Sequence, residues 1–219
     1  MPTKIRIVSC QGYDDHRDKL DASVSLFEQA LNHPLLEAVM LNFRASARMP
    51  RMLRTNGLDQ AAVLAELRAG SATRKVGRQR VIELHVELDP EVNKHAIGCT
   101  QHGVIYTAPH WFHRNPPAYM AGHLAHEYAH LAGFRHAYAR TPRRHLTVPY
   151  AVGELVSEVA ERIQKGKHAV TDRRVDTILR TPRAVPLLSS RERDDAPSTV
   201  LGSAARFVER LKYAVGMGE

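Results

Sequence analysis

The stretch Met120–Ala132, MAGHLAHEYAHLA, limits the fold more than any other in the chain. Outside His123, His126, Glu127 and His130 it contains only Met, Ala, Gly, Leu and Tyr. Read as a helix at about 100° per residue, the four polar residues fall within an arc of about 100°. A helix that is apolar around the rest of its circumference belongs in a core. There, a carboxylate and imidazoles on one stripe each cost several kcal/mol unless something compensates them, and a metal ion does so.

The spacing agrees with that inference. His126-Glu127-x-x-His130 puts two imidazoles one turn apart, within reach of one tetrahedral zinc, with Glu127 beside them as general base. Zinc lowers the pKa of a bound water towards neutrality, and the carboxylate completes its activation. A third ligand is still needed. Gly133 lets the chain leave the helix through a left-handed turn, and His136, three residues on, is free to return to the metal. His, Glu and Gly each occur 13 times in 219 residues, so random placement gives this five-residue pattern in about 10⁻⁴ of such chains. Glu154 and Glu158 are rival third ligands, because an HExxH pair can also be completed by a glutamate from a later helix. They form an i, i+4 pair opposite the apolar side of their own helix and are read as solvated. His123 either lines the cleft or supports the ligands; His110, His113 and His145 receive no role.

The run His126–His136, HEYAHLAGFRH, resembles the HExxHxxGxxH signature of the metzincin zinc endopeptidases. The resemblance implies Zn2+ held by His126, His130 and His136, Glu127 as catalytic base, and a peptide substrate aligned along an edge strand that precedes the active-site helix. More loosely, residues 24–162 are similar to uncharacterised bacterial proteins assigned as metallopeptidases, through Ile97-Gly98-Cys99-Thr100, Val104–Thr107 and Thr147–Gly153 in that order. Tyr150 then falls where some metzincins carry a tyrosine that ligates the resting zinc or hydrogen-bonds the oxyanion. A phenol near a metal suits that task; a tyrosine that starts a helix and packs on the core is the alternative reading. The methionine turn of the family is missing. The only methionine after Met120 is Met217, and Thr147-Val148-Pro149-Tyr150 is the tight turn in its place.

Around this centre the periodicity predicts an α+β fold, metzincin-like, with a small twisted sheet, mostly antiparallel or mixed. Asp21 caps a first helix, Pro34 starts a second over Leu35–Leu41, and Asp59 opens a third that Gly70 stops. Ile5–Val8 is a short β-like run. Ile82, Leu84, Val86 and Leu88 alternate with Glu83, His85 and Glu87, a half-buried strand whose polar residues face solvent. Ala96–Thr100 and Val104–Thr107 flank Gln101-His102-Gly103 as a hairpin. Val104–Thr107 is the expected edge strand, with Trp111 and Phe112 as core behind it. The active-site helix covers residues 118–132, and a loop over 134–146 leads into a helix carrying Val152, Leu155, Val156, Val159 and Ile163 on one side. Residues 165–198, rich in Pro, Arg and Ser, read mostly as loop, followed by an amphipathic helix over 200–214. The domain division is 1–164, catalytic, and 165–219, a basic loop and helix packed on the same domain.

The implied function is zinc-dependent endopeptidase. The alternatives are a basic zinc-containing binding module without catalysis, and a zinc protease associated with nucleic acid. A net charge of +8 suits an acidic partner, but few aromatic residues lie among the basic runs, so a protein or peptide substrate is favoured over nucleic acid. Cys10 and Cys99 fit neither a disulfide-rich scaffold nor a CxxC zinc site and are read as inert thiols. No run is long enough for a signal peptide or a membrane span. The expectation is a chain without a transmembrane segment, cytoplasmic or exported without a classical signal peptide.

Overall fold

The computed structural model describes residues 2–43, 52–70, 80–92, 97–136, 142–167 and 169–180. All lie within Met1–Ser189, one of the two units into which the chain divides. The helix expected over 200–214 lies outside the described residues. The elements run β1 (Thr3–Gln11), a 3₁₀ turn (Asp14–His16), α1 (Arg17–Asn32), α2 (Pro34–Leu41), α3 (Gln60–Ala69), β2 (Arg80–Leu88), β3 (Gly98–Gln101), β4 (Val104–Thr107), α4 (Pro109–Arg114), α5 (Pro117–Leu131), a second 3₁₀ turn (Pro142–Leu146), α6 (Val148–Gln164) and α7 (Asp172–Arg180).

The fold is α+β, with a mixed sheet in the order β1-β2-β4-β3. β1 and β4 both run parallel to β2, and β3 pairs antiparallel with β4. One face of the sheet supplies Ile5, Ile82, Leu84, Val86 and Ile105 to the core, where α1, α3 and α5 meet it and α6 packs on α1 and α5. The other face carries polar residues: Arg6 pairs with Glu83, and Ser9 Oγ bonds His85 Nδ1 at 2.8 Å. That matches the alternation read for β2. Trp111 and Phe112 are buried, as expected.

Several expectations need correcting. Val104–Thr107 is not an edge strand, because β4 is held by β2 on one side and β3 on the other; β3 is the edge on the site's side of the sheet. The parallel β2–β4 pairing joins strands with β3 between them in sequence, which no local pattern reveals. α1 begins at Arg17 and not at Asp21, since the preceding 3₁₀ turn starts the helix four residues earlier. Asp21 instead pairs with Arg17 one turn back, at 3.0 Å. Residues 172–180, read as loop, form α7, whose buried Val175 and Ile178 seat a short helix against α2.

Other local signals hold. Asp59 caps α3 by accepting from the Ala62 amide at 2.8 Å, and Gly70 ends it at φ +82°. Both cysteines are free. Among the described residues, no helix is long and apolar enough to cross a membrane.

Candidate metal centre

α5 and α6 cross at two glycines. A Cβ built on Gly122 would lie 2.5 Å from the Gly153 carbonyl oxygen, and one on Gly153 would lie 2.9 Å from the Gly122 oxygen and 3.0 Å from His126 Cβ. With no side chains between them, the backbones touch. This contact brings Tyr150, at the start of α6, edge-on to His126 with ring centroids 4.5 Å apart.

α5 ends in a turn that builds the rest of the centre. Gly133 adopts φ +90°, the Phe134 amide donates to the Ala129 carbonyl, and the Gly133 amide donates to the His130 carbonyl, the paired bonds of a Schellman cap. Phe134 is buried, anchoring the exit. The reversal returns His136 to the helix, 4.8 Å from His130 and 5.7 Å from His126 between ring centroids. It also aims the Phe134 carbonyl at His130 Nδ1, 2.9 Å away. A carbonyl only accepts, so Nδ1 carries the proton and Nε2 keeps its lone pair for a metal. Gly133→Ala meets no steric neighbour. It should nonetheless cost about 1–2 kcal/mol for the left-handed conformation and weaken zinc binding about 10–100-fold, measured by competition with a chromophoric chelator. Unchanged affinity would separate the turn from ligand placement.

The donor set fits a divalent metal. One ligand nitrogen from each of His126, His130 and His136 lies within 4.8 Å of the other two. Burial, and then the neighbouring His130 and His136, hold His126 well below the ordinary histidine range; burial likewise lowers His130. Both are therefore uncharged imidazoles at neutral pH, the form that ligates. Three imidazoles match the preference of Zn2+ for nitrogen donors with an open fourth position.

Glu127 is 5% exposed. Burial pushes its carboxyl up to about 7, against the opposing effect of the Thr100 hydroxyl, which donates to Oε2 at 2.8 Å. A dication held by the three histidines would act in the same direction as Thr100. Thr100 comes from the edge strand β3, whose alternation explains the match: Gly98 and Thr100 face α5, two residues apart, above His123 and Glu127, one helical turn apart. A Cβ on Gly98 would strike the Tyr106 oxygen at 2.3 Å and His123 Cε1 at 2.6 Å. His123 is not a cleft residue. It is buried, bonded to Thr107 Oγ1 at 3.0 Å and packed on Trp111, and burial drives its pKa down to about 3.

The segment before α6 encloses the other side. Leu53 tethers it: the Leu53 amide donates to the Leu146 carbonyl at 2.7 Å, and its own carbonyl accepts from Val148 at 3.2 Å. Tyr150 is buried and lies 5.1 Å from His136, between centroids, with the Arg144 guanidinium 5.1 Å over its ring. Glu154 is not solvated as expected. The first turns of α6 are buried on all sides, and its carboxylate lies 3.7 Å from His145 Nδ1. It is outside the histidine cluster and is not the third ligand. Glu158 is partly exposed and pairs with Arg162 at 2.7 Å.

The structure thus brings His126, His130, His136 and Tyr150 together and buries Glu127, on the same helix, against Thr100. Sequence reasoning missed Thr100, Gly122, Gly153 and the Arg144-His145 pair; none has a local signal, since each matters only through a contact made by the fold. No family model, curated protein or solved structure matches the chain.

Proposed function

We propose that this chain is a zinc-dependent endopeptidase. The observation that carries the reading is the convergence of three imidazoles, from His126, His130 and His136, at the end of a helix that also carries the buried Glu127 carboxylate. The chemistry that Zn2+ supplies when bound by these residues is acidification of a water and polarisation of a carbonyl. Glu127 takes a proton from the attacking water and returns it to the leaving amine. Thr100 fixes which way that carboxylate faces. The Tyr150 phenol, packed against His126 and His136, donates a hydrogen bond to negative charge developing on the substrate oxygen.

Among the described residues β3 pairs on one side only, leaving main-chain groups open beside Glu127. An extended peptide adds to such an edge by main-chain hydrogen bonds, which suits a peptide substrate without demanding particular side chains. The test is metal analysis of the purified chain together with digestion of a peptide library. The expected result is about one zinc per chain and cleavage that a chelator stops and added zinc restores. Zinc without any cleavage would favour a non-catalytic binding module, and absence of zinc would end the reading.

A further inference from the structure

We propose that His145, backed by the buried carboxylate of Glu154, is a further catalytic residue of this site and donates a hydrogen bond to the negatively charged oxygen of the reacting group. The inference rests on the peptidase reading above and adds a group to it.

The geometry is asymmetric. His145 Nδ1 is buried and faces Glu154 Oε1 at 3.7 Å, whereas the side chain as a whole is 41% exposed. The exposed part is therefore the rest of the ring, including the edge that carries Nε2. That ring packs on Tyr150, 5.4 Å between centroids, and Tyr150 in turn touches His126 and His136. His145 thus stands one aromatic ring away from the histidine cluster with its far edge exposed.

Glu154 explains why the ring sits this way. Its side chain is 5% exposed, and a buried carboxylate is retained at a cost unless cationic or hydrogen-bonding groups face it. In the role proposed, the ring presents one N–H on the side of Glu154 and one at its outer edge. The outer N–H is a donor held in place before the substrate arrives, which is what stabilises charge that develops only during reaction. No proton changes hands in this role. Glu127 works from the β3 side through Thr100, and His145 from the side of α6; the two groups do not compete.

The test uses the zinc-loaded full chain and a mixture of phosphinic pseudotripeptides, whose tetrahedral anion replaces the scissile amide. His145→Phe keeps an aromatic ring on Tyr150 and removes the donor. It should retain about one zinc per chain and bind the phosphinic mixture about 10–100-fold more weakly by calorimetry. Where a peptide is cleaved, kcat should fall by a similar factor with KM changed less than about 3-fold. Glu154→Gln should show a smaller loss, and the double variant no more than His145→Phe alone, because Glu154 is a positioning residue that acts through the ring. Native-like phosphinate affinity in His145→Phe overturns the proposal, as does loss of zinc from that variant or full additivity in the double variant. A native chain that binds zinc and phosphinate but cleaves no peptide removes the peptidase reading, and the affinity comparison still decides the role of His145. A native chain that binds no phosphinate overturns both.

Discussion

Glu127→Gln is expected to retain about one zinc per chain and to hydrolyse peptides about 10²–10⁴-fold more slowly than the native chain. Glutamine has the shape of glutamate and can still accept the Thr100 hydroxyl, so the contact between β3 and α5 survives. The carboxylate is buried, and replacing it with an amide removes a group that the surroundings solvate poorly. Melting temperature should therefore hold or rise. What disappears is the proton acceptor, needed only as the water attacks. The loss should accordingly appear in kcat and kcat/KM together, with KM little changed. A variant that keeps zinc and cleaves at the native rate would show that Glu127 takes no proton, and the proposed chemistry would fall with it.

The second large effect is on stability and involves no metal. His123 is buried and uncharged, with a pKa near 3 in the folded chain against an ordinary value of 6.5. Above pH 6.5 neither the folded nor the unfolded form carries the proton, and no penalty exists. Between 6.5 and 3 the unfolded chain gains a proton that the folded chain refuses, so stability falls as pH falls, by about 1.4 kcal/mol per pH unit. The full loss, about 5 kcal/mol, is reached below pH 3. His123→Gln cannot titrate and keeps a group able to bond Thr107. Urea unfolding at pH 7 and pH 4, with chelator present throughout, should show the variant gaining about 3 kcal/mol relative to the native chain at the lower pH. A stability difference that stays constant with pH would mean that His123 is not held neutral.

What could be read from the sequence divides along a physical line. His126, Glu127 and His130 were legible because a helix converts spacing into direction, and Gly133 because one conformation demands it. Glu154 was misread for the opposite reason. The 3.6-residue period placed it across from Val152 and Val156, yet Gly153 pulls this end of α6 onto α5 and buries the whole circumference, so amphipathic logic holds only from Glu158 onward. β4 was taken for the edge because its pairing with β2 depends on contacts remote in sequence. Thr100 was invisible until β3 was known to lie over α5. α7 was lost because two apolar residues, Val175 and Ile178, are a weak signal within an arginine-rich run.

The crossing of Gly122 on Gly153 has a further implication for how the site can change. The approach of the Tyr150 ring to the His126 imidazole depends on two hydrogen atoms where side chains would otherwise stand. A methyl at either position would act as a shim between the two backbones, and at Gly153 it would also press on His126 Cβ, 3.0 Å away. The crossing therefore ties the spacing of α5 and α6 to the placement of His126 and Tyr150. A substitution at position 122 or 153 would move both together, so the gap cannot be retuned apart from the groups that line it.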